Sequence, residues 1–143
     1  MRPKTFSSER PKKPFQIENI RNGYCTVLFF NNIEEFEDEE GNVNYKYDLY
    51  VLDKVNYRET LEKTIEDNYE EWLNMATDYD YNTLAKEIRK KRDALLSKTD
   101  WTQMTDTALP QQKQEAYRIY RQALRDVPEQ EEFPYNVVWP EEV

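Results

Sequence analysis

Histidine is absent from this 143-residue sequence, and cysteine occurs once, at Cys25. Ser-His-Asp and Cys-His nucleophile pairs, His-ligated metal centres, Cys-rich zinc sites and intrachain disulfides are therefore all excluded. Glycine is almost as scarce, present only at Gly23 and Gly41. A GxGxxG turn and a Walker loop both use glycines to bring backbone close to phosphate, so neither can be written here. Long apolar runs are missing too: the longest, Val27-Leu28-Phe29-Phe30, falls far short of the roughly 18 residues that span a bilayer. The stretch MRPKTFSSERPKKP is charged and no apolar region follows it, so it does not read as a secretory signal. The chain is expected to be soluble. Cys25, inside an apolar run, reads as a small buried hydrophobe in a reducing compartment.

What the sequence does contain is acid and tyrosine. Twenty Lys and Arg face 29 Asp and Glu, a net charge of −9. That sign argues against nucleic acid, whose binders replace condensed counterions with their own cations. The charge is uneven: residues 1–21 carry +4, 22–76 carry −10, 77–100 carry +1 and 101–143 carry −4. Aromatics make up 14% of the chain, with 11 tyrosines, which is not the composition of a disordered polymer. Tyrosine joins an apolar ring to a polar tip, so an excess suggests half-buried side chains at interfaces.

Residues 1–21, with Pro3, Pro11 and Pro14 among their cations, read as a basic arm that cannot form a helix or a central strand. Residues 22–80 read as a β-hairpin or meander followed by a helix. YCTVLFF from Tyr24 is β-branched and aromatic. After an acidic tip at Glu37–Asn42, Val43, Tyr45, Tyr47, Leu49 and Val51 alternate with Asn44, Lys46, Asp48 and Tyr50, which predicts one apolar face to be covered by helices or by another protein. Asn56 and Glu59 have capping-box spacing, and Leu61, Ile65, Tyr69, Trp72, Leu73 and Ala76 recur at helical intervals, so a helix is predicted over 57–77. Two more helices follow, over 82–98 and 110–126, the last opened by Pro110. The basic cluster Arg89–Arg92 reads as a solvated helix face. PEQEEFPYNVVWPEEV should be extended, anchored by Phe133, Val137, Val138 and Trp139 in a groove of its own module or of a partner. The fold class is α+β: a small antiparallel sheet, three α-helices and extended terminal arms. Residues 81–143 form the third region, and a seam at Thr77–Tyr81 leaves one compact unit or two loosely joined ones as readings.

Within residues 91–140 the order KRDALL, TDWTQ, a Pro-initiated helix ending YRQALRDVPEQ, and FPYNVVWP resembles the C-terminal module of the phage tail assembly chaperone family. The resemblance falls on Arg92, Asp93, Leu96, Asp100, Trp101, Thr102, Gln103, Tyr120, Arg121, Leu124, Arg125, Asp126, Pro128, Phe133, Pro134, Trp139 and Pro140. It implies binding and no catalysis: a bacteriophage protein that attaches to tail or tail-fibre components during assembly, in the host cytoplasm, with no cofactor, metal, nucleic acid or membrane. The second reading is a permanent virion part, a tail adaptor or decoration subunit that self-associates. Its basic arm would lie on the acidic stretch of an adjacent copy.

Trp101, Leu96, Asp100 and Trp72 are expected to be structural, with Trp101 buried against the second and third helices and Arg121 bonded to carbonyls or to Asp93 and Asp126. Tyr117, Tyr120, Arg121, Phe133, Pro134, Val138, Trp139 and Pro140 are the candidates for partner contact. The acids Glu34, Glu35 and Glu37–Glu40 lack the spacing of a calcium loop and read as a solubilising hairpin tip.

Overall fold

The computed structural model describes residues 2–143, which divide into two compact units at Tyr81/Asn82. The order is four antiparallel strands followed by three α-helices, an α+β arrangement. The strands are β1 (Thr5–Ser7), β2 (Phe15–Arg21), β3 (Tyr24–Glu37) and β4 (Val43–Asn56), lying in the order β1-β4-β3-β2. The helices are α1 (Leu61–Asp67), α2 (Tyr69–Thr99) and α3 (Gln111–Arg125), with short 3-10 turns at Asp100–Gln103 and Val127–Glu129.

The sheet is larger than the two or three strands expected from 22–53, because the basic Pro-rich segment supplies β1 and β2. Both are edge strands, the only place such a segment fits. β2 and β3 are joined by Asn22-Gly23, both at positive φ, the signature of a tight I′ hairpin. The register shifts three times, and each time the strand with the extra residue holds a side chain in the left-handed region: Asn19 in β2, Asn32 in β3 and Lys54 in β4. Asparagine tolerates this because its short amide can bond locally, and Asn32 Nδ2 donates to Asp48 at 3.0 Å.

These shifts decide which side chains face the helices. The buried cluster is Phe15, Cys25, Val27 and Phe29 from the sheet with Leu61, Ile65, Leu73 and Ala76 from α1 and α2. From β4 it is Tyr50, Leu52 and Val55 that pack against it, not the alternating set Val43–Val51. Strand side chains alternate with period two, so that set lies on the opposite face from Tyr50 and Leu52, and the Lys54 bulge then brings Val55 onto the helix-covered face in place of residue 54. On the other face Tyr47 is buried edge-on to Phe30 at 5.2 Å, and Leu28, Phe30 and Tyr47 line an open groove bordered by Ser7 and Glu9–Lys13.

The helix boundaries also differ from the spacing. Asn56 pairs with Tyr24 in the sheet, so no capping box forms, and α1 begins at Leu61 after an N-cap Thr60 that makes no side-chain cap bond. It stops at Asn68, whose Nδ2 donates to the Thr64 carbonyl at 3.0 Å and competes with the helical ladder. α2 then runs without a break through residues 78–81, where separate helices over 57–77 and 82–98 were expected. Between Tyr57 and Leu109 the sequence has no proline or glycine to stop it. Among the described residues no helix is long and apolar enough to cross a membrane.

Candidate functional site

The C-terminal unit is built around the end of α2, which leaves carbonyls without partners inside the helix. Arg121 of α3 supplies donors. Its Nη1 donates to the Leu96 carbonyl at 2.6 Å and to Thr99 Oγ1 at 2.9 Å, and its Nη2 to Asp100 Oδ1 at 2.7 Å. Arg121 is buried while the Asp100 side chain is largely exposed. The sequence reading placed Arg121 on carbonyls or on Asp93 and Asp126. The carbonyl is found, but its acid is Asp100: Asp93 pairs with Arg92 at 2.9 Å, and Asp126 accepts from Gln122 at 3.0 Å.

After α2 the chain tightens into the 3-10 turn. Thr102, fully buried, donates to the Thr99 carbonyl at 2.7 Å, and Gln103 Nε2 donates to Thr102 Oγ1 at 3.2 Å and to the Gln114 carbonyl at 3.1 Å. Pinning Thr102 inward turns its neighbour outward. Trp101 is consequently 50% exposed, its ring 6.2 Å from that of half-buried Tyr117, and the expectation that it is buried is corrected. Met104, 58% exposed, follows close in sequence.

The tail folds back on its own unit. Phe133 joins Ala85 and Val127 in a buried cluster against which Ile88, Val137 and Trp139 pack, so the groove for this segment is its own. The Arg89 guanidinium lies over the Phe133 ring at 5.2 Å and the Lys91 ammonium over Trp139 at 4.3 Å, each a cation on a π face. The Gln130 side chain grips the tail as a strand neighbour would: Nε2 donates to the Val138 carbonyl at 2.8 Å, and the Val138 N–H donates back to Oε1 at 2.9 Å. Further along, Glu142 and Val143 close a cleft of about 140 Å³ with Leu95, Lys98, Tyr117 and Tyr120. Burial, with the nearby Glu142 and Tyr117, pushes the Tyr120 hydroxyl up.

The candidates for partner contact therefore separate. Tyr120, Arg121, Phe133 and Pro134 are buried in the unit and are corrected to core, because the tail fills the groove beside α2 instead of leaving it open. Val138 is 72% exposed, and Tyr117, Trp139 and Pro140 are half-buried, as is Leu96. Trp72 lies in the N-terminal unit, packed on the sheet core. Arg89, Lys91 and Gln130 were missed. The signal that could have found the two cations is the match between a basic helix face and a tail whose charges are all acidic. Among the described residues no cluster of three or more His, Cys, Asp or Glu could hold a metal ion. In the hairpin tip, Asp38 is occupied by the turn, accepting from the Asn42 N–H at 2.8 Å, Asn44 Nδ2 at 2.9 Å and the Glu40 N–H at 3.0 Å.

No curated protein and no solved structure matches the chain. The family described as phage tail assembly chaperone protein matches residues 85–142, so the resemblance holds for the C-terminal module in which the Arg121 node, the Trp101 turn and the folded-back tail lie.

Proposed function

We propose that the protein is a non-catalytic binding protein of bacteriophage tail assembly, acting in the host cytoplasm, and that its C-terminal module engages a tail or tail-fibre component. The family match over residues 85–142 carries this reading. Exposed apolar groups on that module support it: Trp101, Met104, Ile119 and Val138 lie in contact with water, and a ring such as Trp101 gains most by being covered. Trp101 and Tyr117 are the side chains assigned to partner contact.

The alternative of a permanent virion subunit drew on the need to place the basic N-terminal segment against an acidic neighbour in another copy. Here three of its six cations find acids within their own unit: Arg2 bonds to Asp80, Lys4 to Asp48 at 3.1 Å, and Lys13 to Glu62 and Glu66. That observation favours the assembly role. Co-purification with tagged tail and tail-fibre proteins tests it. Trp101→Ala combined with Tyr117→Ala should reduce capture by at least about tenfold with the helical circular dichroism unchanged. Capture that is unaffected by the double substitution moves the contact elsewhere. A stoichiometric amount of the chain in purified mature particles, read by mass spectrometry, would replace the assembly role with the structural one.

A further inference from the structure

The end of the tail lies on its own module as a bound peptide lies on a receptor. Phe133 sits by Arg89, Trp139 by Lys91, and Glu142 and Val143 by Leu95 and Lys98, so the segment follows α2 in the same direction along its length. Two properties set residues 137–143 apart from the core they cover. First, their hold is made of few, individually small contacts at the margin of the buried cluster: the exposed Gln130 amide on Val138, a cation on the Trp139 ring, and half-buried Val137 and Trp139. A segment held in that way opens locally well before its unit unfolds. Second, the signs match. Residues 129–143 carry five glutamates and no cation, whereas α2 from Lys86 to Lys98 carries six cations and two acids.

We propose that residues 137–143 are an internal stand-in for a ligand, and that the strip of α2 beneath them, Ile88, Lys91, Leu95 and Lys98, takes an extended, acidic, aromatic-anchored segment of a partner protein. The proposal rests on the binding role above for the partner's identity, but not for the exchange itself. A resident tail at high effective concentration keeps the strip covered, and a competing segment sees only the fraction of molecules whose tail is open. Apolar surface is thereby hidden until a better-fitting segment displaces the tail.

The test uses the full-length chain and a fluorescein-labelled synthetic peptide with the sequence of residues 133–143, followed by anisotropy. Trp139→Ala loosens the resident tail while sparing the strip, and should bind the peptide about tenfold more tightly than the unaltered chain. Val137→Ala, which like the tryptophan variant alters the tail and spares the strip, should shift affinity the same way and keeps the test valid if the tryptophan variant folds poorly. Adding Lys91→Glu should abolish the gain, and raising sodium chloride from about 0.05 M to about 0.5 M should weaken binding. Equal peptide binding by the unaltered chain and both variants, with circular dichroism showing intact helices, overturns the proposal, as does binding indifferent to Lys91→Glu. Because the probe is the chain's own sequence, failed co-purification with tail proteins would remove the function proposed above and leave this exchange standing.

Discussion

Arg121 shows how one side chain can organise a small unit. Its guanidinium satisfies the Leu96 carbonyl, the Thr99 hydroxyl and the Asp100 carboxylate together, a geometry that a lysine ammonium on a flexible stem cannot reproduce. Arg121→Ala should destabilise the C-terminal unit by about 2 kcal/mol, read as a lower urea midpoint of the helical signal. Asp100→Asn should cost less than about 1 kcal/mol, because that carboxylate stays in water. At the other end of the chain, the Asn42 N–H, with Asn44 and the Glu40 N–H, holds the Asp38 carboxyl below its ordinary range. A carboxyl whose folded pKa is depressed contributes stability that is complete above its unfolded value, and that contribution is lost as pH falls through the folded one. Carboxyl-detected NMR should show Asp38 titrating below the ordinary aspartate range, and Asp38→Ala should remove the acid sensitivity of amide exchange at Gly41. Lys54 holds φ near 55° with no amide to compensate, so Lys54→Gly should be neutral or stabilising by up to about 1 kcal/mol in thermal melts.

Among the elements, those whose signals are local were legible and those whose address is tertiary were not. β3 could be read from its β-branched and aromatic run, and α3 from Pro110 and its periodic apolar positions. The bulges were hidden because Asn19 and Asn32 look like any polar strand residue until the register is known. The helices expected over 57–77 and 82–98 join in α2, because no proline or glycine stands between them to stop the chain. In the tail, residue types revealed that Phe133 and Trp139 are anchors but not what they anchor to; spacing carries no information about a groove formed by Ala85 and Ile88 far away in sequence. Trp101 was misjudged because its side is set by Thr102, whose inward turn onto the Thr99 carbonyl depends on packing that spacing does not reveal. The inner tail is core, so a chain ending after Pro128 should lose at least about 3 kcal/mol of C-terminal-unit stability by denaturant titration, through the lost Phe133 and its neighbours. Ending the chain after Pro140 should leave the melting curve unchanged.

At the scale of the molecule, each unit has its own buried cluster: one joins Phe15, Val27, Phe29 and Ile65, the other Ala85, Val127 and Phe133. Function is read from the second, since the family match begins at residue 85. The first contributes a sheet with an acid-tipped hairpin, where like charges discourage strand-to-strand association between copies. Cys25 sits inside that first core at 2% exposure, and burial pushes its thiol up, away from the reactive thiolate. Ile65→Ala should therefore raise the rate of thiol labelling at Cys25 by well over tenfold, whereas Leu124→Ala, a comparable loss in the other unit, should leave that rate unchanged. Nature has thus fitted the sheet with a built-in gauge: a solitary sulfur, silent while its surroundings are closed, that reports each opening to any colourless reagent added from outside.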